Sequence, residues 1–295
     1  MKMTYIPRIQ GNMKCYKTIY TKKVTSRIID GSYNSIYKGR SMNFDELREY
    51  VPSDDVKDID WKASARSQKM LVRQYIAEKK HNIMLVMDTN RNMLAHANDT
   101  EEKKDVALLA AGTLAYMVSQ NGDYVSATLV KEGKVSFHPF KTGLFNLEMI
   151  LAEYDRAVTM DNHSSIETSL EYIARNLRRR MIILIVTDTD GIMDISDSTI
   201  KQLRVMHDIL LVNVCDADLF GKKVFDMNSD TYLPAFFTED KKLAKIDRSL
   251  TQQSIRQCDD KLKRLGISNI PINSGADMDE KIAELLDKHK TGDSR

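Results

Sequence analysis

Four polar side chains stand at or shortly after the ends of apolar stretches of this chain, and their types and spacing suit ligand binding. Asp88, Asn90 and Asn92 follow the apolar run Ile83–Met87, and Asp188 follows a second such run. Short apolar runs bounded by polar residues are typical of buried parallel strands. Ligands of an open α/β sheet bind just beyond the carboxyl ends of its strands. We therefore expect these side chains to meet at one edge of a sheet.

The chemistry of this predicted site is that of hard oxygen ligands. Ser164 precedes a predicted helix. Its hydroxyl would join the carboxylates of Asp88 and Asp188 and the side-chain amides of the two asparagines. Carboxylate, amide and hydroxyl oxygens suit Mg²⁺ or Ca²⁺ and suit zinc poorly. The alternative is structural: the two aspartates only cap strand ends, and Asn90 and Asn92 are ordinary turn residues. For Asn92 the structural alternative is the stronger interpretation.

The elements that must position these residues alternate along the chain. Apolar strands are predicted to end at Met87, Thr187 and Val214, with amphipathic helices between them, and Met70–Ile76 reads as a further strand entering the sheet. A hairpin over residues 124–140 adds an antiparallel edge strand. This alternation predicts a doubly wound, mostly parallel α/β sheet.

Composition narrows the class of protein. The chain has 295 residues, 42% of them hydrophobic, and a net charge of +2, which does not favour nucleic-acid binding by the whole molecule. Its three cysteines lack the paired spacing of a zinc site or a disulfide framework. No apolar run reaches the length of a membrane span, and the N-terminus lacks a signal-peptide pattern. These features predict a cytoplasmic protein.

The first forty residues are basic, with Asp30 as their one acid. Such an arm could touch nucleic-acid phosphates or an anionic membrane surface. A solvated, partly ordered lead-in over residues 1–30 is the favoured interpretation.

The order of the polar residues carries a resemblance. Asp88, Asn90 and Asn92, then Ser164, then Thr187-Asp188, resemble the metal-ion-dependent adhesion site of von Willebrand factor type A domains. That site has Asp-x-Ser-x-Ser, a later Thr and a final Asp, so asparagines replace both serines here. The resemblance implies a metal site made of Asp88, Asn90, Asn92, Ser164 and Asp188, with Mg²⁺ or Ca²⁺ as the ion.

A second, longer resemblance runs from about residue 31 to the C-terminus. The block from Phe44 to Arg66 resembles the signature of the "domain of unknown function 58" family, bacterial proteins with a type A-like domain. Ser53 departs from it, because the family usually has Gly there. The resemblance implies a signature segment over residues 31–80 that packs on the sheet, and a type A-like domain over 81–295. It also implies partnership with a MoxR-type AAA+ ATPase.

The signature is dense in opposite charges around the single tryptophan. It could brace the lead-in against the sheet, which we favour, or form a partner-docking face with Trp61 as an anchor. The residues concerned are Arg48, Glu49, Asp54, Asp55, Asp60, Trp61 and Arg66.

Three functions remain open. The favoured one is a non-enzymatic interaction module that binds an acidic group of a partner through the Asp88–Asp188 site, for which no catalytic residue is assigned. A metal-dependent phosphatase or nuclease using Asp88 is the alternative, although Asn90 stands where an aspartyl-phosphate enzyme needs a second Asp. The third is nucleic-acid or anionic-surface binding by the basic N-terminal arm.

Overall fold

The computed structural model describes residues 3–13, 42–52, 54, 56–77, 80–217, 225–226, 231–232, 241–276 and 278–292. The chain divides into two compact units: Tyr33–Lys80 forms one, and Met1–Ser32 together with His81–Arg295 forms the other. The predicted packing of residues 31–80 on the sheet stays a prediction.

The helices and strands of the described residues are numbered in chain order. The helices are α1 (Tyr5–Asn12), α2 (Trp61–Ser67), α3 (Lys103–Gln120), α4 (Leu144–Ala157), α5 (Ile166–Asn176), α6 (Thr189–Asp194), α7 (Asp197–Arg204), α8 (Lys241–Arg264) and α9 (Met278–Gly292). The strands are β1 (Met42–Glu49), β2 (Leu71–Ala77), β3 (Asn82–Met87), β4 (Tyr124–Lys131), β5 (Lys134–Lys141), β6 (Ile182–Thr187), β7 (Asp208–Val214), β8 (Phe225–Asp226), β9 (Thr231–Tyr232) and β10 (Ser268–Ile272).

The larger unit is built on a six-stranded sheet with the order β10-β7-β6-β3-β4-β5. Every neighbouring pair is parallel except β4 and β5, which form the predicted antiparallel hairpin at the edge. The chain runs outward from β3 to β5 and then returns to β6, so the winding direction reverses between β3 and β6. This order confirms the predicted doubly wound sheet and places its topological switch point between these two strands.

Helices cover both faces of this sheet, which explains why its central strands read as continuous apolar runs. β6 is buried along its whole length, and so is β3 after its first residue. The helix α3 contacts α4 and α9, and α5 and α7 contact each other as a second group. Strands buried on both faces must be apolar at successive positions rather than at alternate ones.

The N-terminal helix α1 packs on this body through a buried acid. Glu148 of α4 is 1% exposed, and its carboxylate accepts the backbone N–H groups of Thr4, Tyr5 and Ile6. The helix has no side-chain cap of its own, so Glu148 satisfies its first N–H groups from a distant part of the sequence. Gly112 of α3 makes room for the helix, because a Cβ there would lie 2.4 Å from Ile9 Cδ1.

The smaller unit is a two-stranded antiparallel sheet with α2 beside it. β1 and β2 pair only with each other among the described strands. The predicted strand Met70–Ile76 therefore exists, but the prediction that it enters the main sheet is wrong. Its local partner is β1, which is close in sequence and costs little loop-closure entropy to reach.

Candidate functional site

The site lies at the switch point, where two loops leave neighbouring strands in opposite directions. Asp88 follows β3 and Asp188 follows β6, and the two strands pair in parallel up to Met87 and Val186. The backbone N–H of Asp88 also donates to Val186 O at 2.9 Å. The two aspartates thus share one edge of the sheet, as predicted from the strand ends.

Both oxygens of Asp88 accept hydrogen bonds from the protein. Thr187 Oγ1 donates to Oδ2 at 2.5 Å, and the backbone N–H of Asn90 donates to Oδ1 at 2.9 Å. Asp88 is 4% exposed, and burial, followed by the nearby charge of Asp188, raises the pKa of its carboxyl to about 6. Both oxygens of this buried carboxylate are therefore engaged inside the protein.

Asp188 caps the short helix α6 and binds a lysine. Its Oδ1 accepts the backbone N–H of Gly191 at 2.9 Å, and its Oδ2 lies 2.8 Å from Lys103 Nζ. The residue is 2% exposed. Gly191 is required by close packing, since a Cβ there would lie 2.0 Å from Thr187 Oγ1 and 2.7 Å from Asp88 Oδ2.

Lys103 is the site residue that sequence reasoning missed. Its ammonium also lies 2.5 Å from Asp216 Oδ1, just beyond β7, so one cation contacts two carboxylates. Burial works against its charge, but Asp188 and Asp216 outweigh that effect and raise the pKa of Lys103 above its ordinary range.

A sequence signal for Lys103 did exist. It stands in the first turn of α3, where the helix dipole disfavours a cation, and it falls in the buried stripe with Val106, Ala107 and Ala110. A lysine at both an apolar position and the wrong helix end needs a buried acid as its partner.

Asn90, Asn92 and Ser164 tie the loops of the site together. Asn90 Oδ1 accepts the backbone N–H of Asn92 at 3.0 Å, and Asn90 Nδ2 donates to the Ser164 carbonyl at 3.1 Å. Ser164 Oγ in turn donates to Asn162 Oδ1 at 2.5 Å. The structure therefore brings the predicted residues together, with the amide of Asn90 and the hydroxyl of Ser164 bonded within the protein.

The donor set does not fit a hard divalent cation. Ca²⁺ takes six to eight oxygen ligands, and Mg²⁺ is held directly by one or two carboxylates while waters fill several of its positions. Here the ammonium of Lys103 already lies against Asp188 and Asp216, and Asn90 is committed to the loops. Within the described ranges, no group of three or more His, Cys, Asp or Glu side chains is placed to hold a metal. Metal binding remains a prediction of the resemblance alone.

The pKa values of the two thiols of the described residues are shifted upward. Burial raises the pKa of Cys215, with Asp216 adding to it, and burial likewise raises the pKa of Cys258. A reactive cysteine needs the opposite shift, because the thiolate is the attacking species.

In the smaller unit, some signature residues form ion pairs and others are exposed without a described ion pair. Arg48 forms a two-pronged ion pair with Asp54 at 2.7 and 2.5 Å, and Asp60 caps α2 while pairing with Arg73 at 3.0 Å. Trp61 instead points outward. Glu49 pairs with Lys69, Arg66 is exposed, and the side chain of Asp55 lies outside the described residues.

Trp61 is 62% exposed, and four further large apolar side chains of this unit are exposed as well. They are Leu47, Val51, Val56 and Met70. The ion pairs of the unit therefore do not form a network that buries the tryptophan.

Comparison with protein families identifies the chain. The model of the family described as "Protein of unknown function DUF58" matches residues 46–219, more than half of the sequence. The chain belongs to the DUF58 family. The match covers residues 46–66 of the signature and the Asp88–Asp188 edge of the sheet, and the fold is the von Willebrand factor type A-like α/β fold that the resemblance implied.

An uncharacterized protein of Mycobacterium tuberculosis is 23% identical over 215 residues. The match covers 71% of this chain and 66% of that protein.

Solved structures give more distant likenesses. BatB from Bacteroides thetaiotaomicron is 13% identical with a TM-score of 0.45, covering 72% of this chain and 99% of that one. A von Willebrand factor type A protein from Catenulispora acidiphila is 10% identical with a TM-score of 0.38, covering 75% of this chain and 45% of that one. The fold assignment depends on the strand order and the family match.

Among the residues that the structure describes, no helix has both the length and the apolar character needed to cross a bilayer. The cytoplasmic location stays a prediction.

Proposed function

We propose that this DUF58 chain is a protein-interaction module that docks on a MoxR-type AAA+ ATPase. The observation that carries the proposal is the exposure of Trp61, together with four other large apolar side chains on one small unit. We interpret these side chains as an interaction surface, since tryptophan is enriched among the residues that dominate binding energy. The ATPase as partner is supported by family resemblance alone.

The exposed tryptophan is also held in a defined place, which favours docking. Asp60 accepts the N–H groups of Lys62 and Ala63 at 3.1 and 3.0 Å, so the turn of helix that begins with Trp61 is capped. A side chain presented on a fixed backbone loses less conformational entropy when a partner binds.

The part of the site at the ends of β3, β6 and β7, with Asp88, Asp188 and Asp216, is called the crevice. A direct role for the crevice, in which it binds an acidic group of the partner, has weaker support. Asp88 and Asp188 are 4% and 2% exposed, so a partner would meet the rim and not these carboxylates. At the rim, Asn92 is half-buried and Asp190 is exposed. Burial of Asp88 likewise counts against the phosphatase or nuclease alternative.

The experiment measures binding of the purified full chain to the MoxR-type ATPase of the same host. We expect Trp61→Ala to weaken binding at least about tenfold, since an interface tryptophan contributes about 2 kcal/mol or more. Phe145→Ala is the matched control, because Phe145 is an aromatic residue of the larger unit with a similar exposure of 58%. Its affinity should equal that of the wild type.

A third variant separates the two surfaces. Asn92→Ala changes the rim of the crevice and leaves the smaller unit intact. Equal binding by Trp61→Ala and the wild type, with loss of binding in Asn92→Ala, would move the docking surface to the crevice. Absence of binding by the wild type would overturn the partnership.

A further inference from the structure

Three carboxylates meet in the crevice, and their negative charge needs a nearby cation. Asp88, Asp188 and Asp216 come from the ends of three strands, β3, β6 and β7. Asp88 and Asp188 are buried, and the side chain of Asp216 is half exposed. Carboxylates gathered at low exposure repel one another unless a cation lies among them.

Lys103 supplies a cation at this point. The side chain of Lys103 is 3% exposed, and its Nζ lies 2.8 Å from Asp188 Oδ2 and 2.5 Å from Asp216 Oδ1. An ammonium has three N–H donors and no acceptor, so two of its donors are directed at two different acids. The 2.8 Å distance is that of a charge-assisted hydrogen bond, and the 2.5 Å contact with Asp216 is closer still.

The backbone around Lys103 fixes this arrangement. The N–H of Lys103 donates to Ala95 O at 2.8 Å, which joins the start of α3 to the loop after β3. On the other side, the N–H of Ala217 donates to His96 O at 3.0 Å and holds the segment that carries Asp216. The lysine and its second acid are therefore anchored independently of their ion pair.

We propose that the Lys103 ammonium is the built-in cation of this crevice, which holds Asp188 and Asp216 together and lets the site keep its shape without a divalent metal. The loop after β3 and the loops after β6 and β7 belong to opposite halves of the winding, so this one side chain joins both halves at the switch point. The proposal concerns the site by itself and does not depend on which partner docks on the protein.

The test compares metal binding by the wild type and by Lys103→Ala, using the full chain and MnCl₂ alone. Thermal unfolding and the electron paramagnetic resonance signal of free Mn²⁺ are followed in parallel. The wild type should show neither a rise in melting temperature nor bound Mn²⁺. Lys103→Ala should melt several degrees lower, because it leaves buried acids unpaired, and should gain a Mn²⁺-dependent rise in melting temperature.

Two further variants define the controls. Lys103→Arg keeps the charge and should stay unresponsive to Mn²⁺. Lys103→Ala combined with Asp188→Asn should lose the gained response, since it removes a carboxylate that the metal would bind. If Lys103→Ala does not fold, the double variant, which removes both charges of the pair, should recover folded protein.

The proposal is overturned if the wild type binds Mn²⁺ and Asp188→Asn abolishes that binding. It is also overturned if Lys103→Ala melts at the wild-type temperature. Neither result concerns the ATPase, so a failure here is distinguishable from a failure of the docking proposal.

Discussion

At the scale of single residues, the site is a set of acids whose bonding needs are met inside the protein. Asp88 accepts from Thr187 and Asn90, and Asp188 accepts from Gly191 and Lys103. The pairing of the two acids follows from the sequence, since each comes directly after an apolar strand. Lys103 was missed, because two successive lysines near the start of a helix read as solvated surface unless their fit to the buried stripe is checked.

Gly191 packs closely against both Thr187 and Asp88. We expect Gly191→Ala to lower the free energy of unfolding by about 1–3 kcal/mol, because the new methyl group would overlap Thr187 Oγ1. Urea denaturation measures this change. Gly11→Ala is the control, since a Cβ there meets nothing within 4 Å, and it should leave stability unchanged or slightly raised. Equal effects at both glycines would contradict the close packing at the site.

Tyr154 of α4 carries a fully buried hydroxyl with no hydrogen-bond partner among the described residues. Burial, followed by the charge of Asp88, raises its pKa well above the ordinary value. Removing an unpaired buried hydroxyl relieves a desolvation cost, so Tyr154→Phe should stabilise the protein by about 1 kcal/mol.

The matched variant is Tyr116→Phe, because Tyr116 OH accepts from Gln10 Nε2 at 2.7 Å. This variant should destabilise the protein by about 1 kcal/mol. Thermal unfolding of the two variants side by side gives the comparison, and a loss of stability in Tyr154→Phe would show that its hydroxyl has a partner.

At the scale of elements, the central strands were predictable and the helix starts were less so. Met181–Val186 and the other central strands are continuous apolar runs. Strands that are buried on both faces must be apolar at successive positions, so this pattern predicts them. Asp99 and Thr100 suit a helix cap, but α3 begins only at Lys103. Asn98 explains the delay, since its Oδ1 accepts the N–H groups of Thr100 and Glu101 and offers them a turn instead of a helix.

The N-terminal helix depends on an acid that is remote in sequence. Glu148→Ala should release α1 and lower the free energy of unfolding by about 2 kcal/mol, because a buried carboxylate with several N–H donors is lost. Hydrogen exchange of peptides covering residues 3–13 should speed up in the same variant.

Glu171→Ala serves as the control for Glu148→Ala. Glu171 pairs with Arg175 on an exposed helix surface at 2.8 Å, so its loss should cost at most about 0.5 kcal/mol. Unchanged exchange in Glu148→Ala would mean that other contacts hold α1, such as Tyr5 OH with Asp155 at 2.8 Å.

At the scale of the whole molecule, the chain forms two compact units. The smaller unit presents Trp61, and the larger unit closes its switch point with its own charges. The order of predicted strands and helices along the chain predicted the doubly wound sheet, since strands that alternate with helices allow few topologies. It did not predict the smaller sheet, because an antiparallel pair of strands flanking a short helix has no periodic pattern that distinguishes it from an added edge strand.

The most direct test of the central claim is a crystal structure of the wild type grown with MnCl₂, with data collected at the manganese absorption edge. The account predicts Lys103 Nζ within hydrogen-bond distance of Asp188 and Asp216, and no anomalous peak beside them. An anomalous peak bound by Asp88 or Asp188, with the lysine turned away, would contradict it.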